Sequence, residues 1–155
     1  MKPEHVGLSV SNLDRSIEFY TRILGLRARR IIESTPDRGL GDIVGLPGCH
    51  ARIAHLVPAD VPEGSPAGTM LELFEYVTPR GRSIPDDHTQ ADQGFIHIGF
   101  TSADARADFR RLQSEGGSCI AAPVEFRPGV WVFYFHGPDG EVCELRQTSS
   151  REGEA

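Results

Sequence analysis

The chain carries one pattern twice. His5-Val-Gly-Leu-Ser-Val10 leads into an amphipathic stretch that ends at Leu24-Gly25, and His97-Ile-Gly-Phe-Thr101 leads into a second that ends at Glu115-Gly116-Gly117. His5 and His97, Gly7 and Gly99, and Gly25 and Gly117 each lie 92 residues apart. In that register Ile17 matches Phe109 and Tyr20 matches Leu112. Such a repeat restricts the architecture, because a single copy cannot cover its own sheet and two copies together can.

Each copy reads in the same order. Val6, Leu8 and Val10 alternate with His5, Gly7 and Ser9, the period of a strand. Ser11 or Asn12 caps the helix that follows, with Ser11-x-x-Asp14 as a weak capping box. Leu13, Ile17, Tyr20 and Leu24 form its apolar stripe, and Gly25 stops it. In the second copy Ile96, Ile98 and Phe100 alternate, and a helix from about Ser102 turns Ala105, Phe109 and Leu112 inward. Further strands are expected at Ala28 to Ile32, His50 to Leu56 and Met70 to Tyr76, and again at Ala121 to Phe126, Val130 to His136 and Glu141 to Arg146. Gly137-Pro138-Asp139-Gly140 is the turn of a hairpin.

The copies differ in length: His5 to Glu72 spans 67 positions and His97 to Glu144 spans 47. The extra residues are expected between Glu33 and Gly68, where Pro, Gly and Asp cluster. The expected organisation is one domain over residues 1–155. Module one covers about 3–78, a polar linker 79–93, module two about 94–147, and a disordered tail 148–155.

Composition excludes several classes. The 155 residues carry a net charge of −6, which disfavours a nucleic-acid backbone as partner. The longest apolar run, Val130 to Phe135, is far too short to span a bilayer, so no membrane association is expected. Glu4 stands where a secretory signal needs apolar residues, and Cys49, Cys119 and Cys143 are an odd count without a CxxC. Both observations suggest reduced thiols in the cytoplasm. Lys2 is the sole lysine, which argues against a Schiff-base mechanism.

The repeat also places chemistry. Each half opens a strand with His and closes its last strand with Glu, in Met70-Leu-Glu72-Leu-Phe74 and Val142-Cys-Glu144-Leu-Arg146. A strand carboxylate with apolar neighbours on both sides points away from them and needs a partner. His5, Glu72, His97 and Glu144 form an N2O2 set that suits a divalent transition metal in an open site: Ni, Co, Zn, Mn or Fe. Two vacant positions on such an ion accept a small molecule through two neighbouring oxygens, and Gly7 and Gly99 leave room for it. His50, His55, His88 and His136 have no repeat partner; His50 and His55 lie in an expected strand and could line the pocket, with a surface role the simpler reading. The cluster Arg27, Arg29 and Arg30 reads as a solvated strand end. Trp131, Phe133 and Phe135 share one strand face and read mostly as core.

The opening HVGLSVSNLDRSIEFYTRILGL, the LELFEY and HIGF strands and the YFHGPDGEVCEL ending resemble the vicinal oxygen chelate superfamily, over about residues 3 to 147. That group holds glyoxalase I, methylmalonyl-CoA epimerase, extradiol dioxygenases and bleomycin-resistance proteins. The resemblance implies an α+β fold of two paired βαβββ modules, a curled mixed sheet around a metal cleft. It implies His5, Glu72, His97 and Glu144 as metal ligands, Glu144 as catalytic base and Glu72 as candidate second base. It also implies a homodimer, with the cleft built within one chain or across two. Glu72 is similar to the glyoxalase I pattern, whereas the epimerase usually has Gln. The activity so implied is a lyase or isomerase working by proton transfer. The alternatives are a ferrous extradiol-type dioxygenase and a non-catalytic drug or metabolite binder. Against ring cleavage, no His lies between His97 and His136, although Tyr134 is present. The Asp that usually precedes Pro in the last turn is Gly137 here.

Overall fold

The alternation that begins at His5 folds as strand β1 (His5–Ser9), and the amphipathic stretch after it as helix α1 (Leu13–Arg22). The computed structural model describes residues 3–63, 65 and 69–147; the tail expected to be disordered, 148–155, lies outside the described residues. Two units are compact in themselves, Met1–Ser83 and Ile84–Ala155, and their boundary falls in the stretch read as linker. Each is a helix on a mixed sheet, so the fold is α+β.

In the first unit β2 (Leu26–Ser34), β3 (His50–Pro58) and β4 (Met70–Thr78) complete a four-stranded sheet of order β1-β4-β3-β2. β1 pairs parallel with β4, which sets Gly7 opposite Glu72. Period-two alternation sends Leu71 and Leu73 to the face covered by α1, where they are buried with Ala54 and Leu56. Asn12, rather than Ser11, caps α1: its Oδ1 accepts the Arg15 N–H at 2.9 Å. Asp14 is not part of a capping box. It reaches across to Arg52, at 2.9 Å, and Arg52 also binds Glu75 at 3.0 Å. The hydrogen bond from Arg52 holds the Asp14 carboxyl below its ordinary range.

The inward face of α1 differs from the expected stripe. Leu13, Ser16, Tyr20 and Ile23 are buried, and Ile17 and Leu24 sit half-buried beside them. Both sets keep helical spacing and share Leu13 and Tyr20, so the helix is rotated by part of a turn relative to the expectation. The rotation buries the Ser16 hydroxyl without a hydrogen-bond partner.

The extra residues of this unit form a 3-10 turn (Pro36–Arg38) and a short helix α2 (Leu40–Val44), followed by a β3–β4 loop. Leu40 and Leu46 pack with Ile32, Phe74 and Tyr76 around Cys49, Ala51 and Ile53. Phe74 and Tyr76 share the strand face of Glu72, opposite to α1, so this insertion fills part of that face. Arg27 and Arg29, read as solvated, hold the β3–β4 loop through the carbonyls of Val61 (3.0 Å) and Ser65 (3.1 Å).

The second unit contains β5 (Ile98–Ser102), α3 (Ala105–Ser114), β6 (Ser118–Cys119), β7 (Val124–Arg127), β8 (Val130–His136) and β9 (Val142–Gln147). The sheet order is β5-β9-β8-β6, with β7 also on β8, and β5 is parallel to β9. Asp104 caps α3, accepting from the N–H groups of Arg106 and Ala107. Phe109 meets the buried Phe133 edge-on at 5.4 Å, and the Arg106 guanidinium lies 4.6 Å over the Trp131 ring. Of the strand expected from Ala121 to Phe126 only the second half forms, as β7, while the two-residue β6 lies ahead of the expected range and pairs with the same β8. Pro123 stands just before β7 and has no N–H to donate to the ladder. Among the described residues no helix is long and apolar enough to cross a membrane.

Gly137 has a structural cause. The Gly137 N–H donates to the Glu141 carbonyl at 2.8 Å, and the buried Glu141 side chain folds back to accept the Asp139 N–H at 2.8 Å. A Cβ on Gly137 would collide with that carboxylate. The turn therefore takes its carboxylate from position 141 instead of 137. Gly137→Asp is expected to destabilise the protein by about 1–3 kcal/mol in urea titrations, through overpacking and like-charge repulsion. Adding Glu141→Ala to it is expected to restore most of the loss; a double variant no better than Gly137→Asp alone refutes this account of the turn.

Candidate functional site

Glu72 sits in β4 between the buried Leu71 and Leu73, so its carboxylate emerges on the sheet face not covered by α1. It is only 14% exposed there and meets two imidazoles. Oε2 lies 3.4 Å from Nε2 of His5, and Oε1 lies 3.0 Å from Nε2 of His55, its direct antiparallel neighbour on β3. His5 in turn holds Glu4 through Nδ1 at 2.6 Å. The Glu4 hydrogen bond, followed by the charge of Glu72, raises the His5 pKa above its ordinary value.

The second unit repeats the arrangement. Glu144 lies in β9 between the buried Cys143 and Leu145, opposite Gly99. Its Oε2 is 2.9 Å from Nε2 of His97, which stands one residue ahead of β5 instead of inside it. The same oxygen accepts the Tyr134 hydroxyl at 3.0 Å. Tyr134 is the antiparallel neighbour of Glu144, and its ring meets that of His97 edge-on at 5.2 Å. Burial first, and the hydrogen bond to Glu144 second, push the Tyr134 phenol up. His97 Nδ1 faces Gln90 Oε1 at 3.3 Å, with the amide oriented by its NH2 donating to the Ile96 carbonyl at 2.9 Å.

The structure thus brings His5 to Glu72 in one unit and His97 to Glu144 in the other. Among the described residues no group of three or more His, Cys, Asp or Glu is gathered in metal-holding geometry. The donor chemistry of each pair nevertheless fits a cation. Glu4 and the Gln90 oxygen are acceptors, so Nδ1 of each ring donates to them and Nε2 is the atom left facing a carboxylate oxygen. Two such atoms near 3 Å repel unless a positive charge lies between them, either a second ring proton or a metal ion. A carboxylate or carbonyl behind a ligating His, fixing its tautomer, is also what metal-bound imidazoles use.

His55, read as a surface residue, and Tyr134, given no role, each occupy the cross-strand position beside a glutamate. One signal was available: Ala54-His55-Leu56 sets a polar residue between apolar ones, as Glu72 is set. The space next to Glu144 is open. A Cβ on Gly99 would touch nothing within 4 Å, whereas one on Gly7 would meet the Phe74 ring at 3.7 Å. A cavity of about 570 Å³ lies in the second unit, with Val124, Phe126, Val132, Tyr134, Glu144 and Arg146 in its wall.

The sequence pattern of the Glyoxalase/Bleomycin resistance protein/Dioxygenase superfamily matches residues 2–145. The chain belongs to this superfamily. Similar members include a 2-epi-5-epi-valiolone epimerase from Actinomyces sp., 29% identical over 150 residues, covering 91% of this chain and 76% of that protein. A probable lactoylglutathione lyase from Synechocystis sp. is 25% identical over 153 residues, covering 96% of both. Among solved structures, a glyoxalase family protein from Bacillus cereus superposes with a TM-score of 0.82 at 21% identity, covering 95% of this chain and 93% of that one. Glyoxalase I from Zea mays gives 0.70 at 23% identity over 96% of this chain and 45% of its own. At these identities the structural matches establish the fold. The glyoxalase superfamily contains enzymes that differ in chemistry, so the reaction has to be argued from the site.

The hydroxyl of Tyr134 donates to a half-buried carboxylate, which gives a measurable coupling. A double-mutant cycle of Tyr134→Phe and Glu144→Gln, read by urea unfolding, is expected to give an interaction energy of about 1 kcal/mol. Strict additivity of the two substitutions refutes the contact.

Proposed function

We propose that this chain is a metal-dependent isomerase or lyase of glyoxalase or epimerase type, moving a proton on a small substrate that presents two neighbouring oxygens. His5, Glu72, His97 and Glu144, as the family resemblance implies, would hold one divalent ion of Ni, Co, Zn, Mn or Fe, with the four supplied by one chain or by two. When bound, the ion polarises the substrate oxygens and offsets the negative charge that develops on proton loss. The observation that carries this reading is the duplicated pair itself: in each unit an imidazole whose Nδ1 faces a side-chain oxygen sets its Nε2 within 3.4 Å of a half-buried carboxylate. The epimerase and the lyase among the similar proteins support the reaction type.

The chain's own residues have separable tasks. Glu144 accepts the proton from the substrate carbon, and the Tyr134 hydroxyl, hydrogen-bonded to Oε2, keeps that carboxylate oriented. Glu72, held between His5 and His55, is the second base: it takes a proton from solvent and passes it to the rearranged substrate, while Glu144 releases the proton it accepted to solvent, so the proton count is unchanged over the cycle. No electrons are gained or lost overall. Two carboxylates and two neutral imidazoles around a divalent ion leave a formal charge near zero, so an anionic substrate meets little repulsion. The reading carries with it a homodimer in the cytoplasm, the first of which light scattering on the purified protein measures.

A non-catalytic binding role has one observation in its favour, the apolar cavity beside Glu144. Turnover separates the two. Element analysis of purified protein is expected to find about one ion per chain in the wild type and clear loss in His5→Ala and Glu72→Gln. Glu144→Gln is expected to slow solvent-deuterium exchange into 2-hydroxy ketone substrates by about 10²–10⁴-fold. Full metal retention in both ligand variants overturns the metal site; metal loss without any exchange activity in the wild type overturns the chemistry and leaves the binder.

A further inference from the structure

The two units are built on the same plan, yet the sheet faces that carry the glutamates are covered differently. In the first unit β2 and β3 are joined by the insertion. Its Leu40 and Leu46 pack with Phe74 and Tyr76 around Ile53, one step beyond the His55–Glu72 pair. In the second unit β7 and β8 are joined by Pro128 and Gly129 alone. The equivalent face, one step beyond the Tyr134–Glu144 pair, opens instead on the cavity of about 570 Å³.

The wall of this cavity offers hydrocarbon. Ile120, Val124 and Phe126 line it and are 50%, 60% and 80% exposed, so much of their apolar surface meets water. Val132 stands opposite Val124 across the β7–β8 ladder and lines it too. The charged groups of the wall are already engaged. Glu144 is held by His97 and Tyr134, and Arg127 and Arg146 each have a partner in the chain. A charged ligand group entering here would lose its water and gain no free counter-group, whereas hydrocarbon gains by burial against hydrocarbon. The volume lies within the range of small-molecule sites.

We infer that this cavity binds the uncharged, apolar part of a small molecule, and that the ligand does on this face what Leu40 and Leu46 do on the face of the first unit. That unit shows what the surface accepts: branched hydrocarbon laid over the strand positions next to a glutamate. The proton-transfer reading, on which the identity of the ligand as substrate rests, then gives the cavity a place in the reaction. Glu144 is part of its wall, so the group that fits is one attached close to the carbon that loses its proton. An aromatic ring or a branched alkyl chain meets that description, and a charged substituent at the same position does not. The inserted segment fills the equivalent space in the first unit, which limits this binding mode to the second.

The test is a fluorescence titration of the full chain, with chelator present, using uncharged N-phenyl-1-naphthylamine and its anionic relative 8-anilinonaphthalene-1-sulfonate. The uncharged probe is expected to bind about tenfold more tightly than the sulfonate, or better. Val132→Trp, which fills the cavity, and Phe126→Ser, which removes an exposed part of its wall, are each expected to weaken the uncharged probe about fivefold or more. Ile43→Ser replaces a residue of the first unit that is 83% exposed, and it is expected to change that affinity less than about twofold. No effect of Val132→Trp and Phe126→Ser, or an equal effect of Ile43→Ser, overturns the site. Sulfonate bound as tightly as the uncharged probe overturns the ligand class. Neither metal nor turnover enters the measurement, so these negative results leave the proton-transfer reading standing. Failure of metal binding or exchange removes the substrate assignment and leaves the binding site.

Discussion

The pairing of a carboxylate with an imidazole across a parallel ladder is the constraint on which the other features hang. Glu72 and Glu144 each lie between two buried apolar residues on the last strand of a unit. A slip of one residue would drive the carboxylate under the helix and the leucines into solvent, so the register is strongly fixed. With the register fixed, Gly7 stands opposite Glu72 and Gly99 opposite Glu144, and the histidine two residues earlier is the diagonal neighbour in both units. The site pairs follow from burial of their neighbours rather than from any attraction of their own.

Around that pairing, the units were free to diverge, and they did so at the cross-strand position. His55 fills it in one unit and Tyr134 in the other. A second imidazole gives Glu72 a partner that can itself carry a proton. A phenol gives Glu144 a donor that does not ionise near neutrality, since burial and the carboxylate both oppose it. The two glutamates are thus alike in the imidazole that each meets across the parallel ladder and unlike in their second partner. The partners behind the rings diverge in the same way: a charged Glu4 for His5 and a neutral Gln90 for His97.

The insertion between β2 and β3 deepens the asymmetry. Its apolar residues need cover, and they find it on the sheet face beyond Glu72, where Phe74 and Tyr76 complete a small core. The same face in the second unit stays open at the cavity. Duplication supplies two equivalent sheets, and a segment of apolar chain decides which retains free space.

Much of this was legible in the linear chain. Residue alternation and turn signals located eight of the strands among the described residues, all but the two-residue β6, and a helix followed the first strand of each half, because such signals depend on neighbours a few residues away. The repeat singled out His5, Glu72, His97 and Glu144, and apolar flanks gave the two glutamates their direction. Other features needed the folded chain. Leu13, Ile17, Tyr20 and Leu24 and the observed set with Ser16 and Ile23 are both valid helical stripes, and only the sheet beneath chooses between them. Pro123 marks where the ladder is interrupted, but only the folded chain shows pairing to β8 on both sides of it, by Cys119 with Phe135 before and Val124 with Val132 after. His55 and Tyr134 acquire meaning through cross-strand register, which is set by hairpins closed across loops of different length and by burial on the opposite face. What the sequence determined by itself is the pair of half-sites and the faces on which they stand. Tertiary pairing decided which side chain backs each carboxylate and which face remains open, because those contacts join residues that no local period relates.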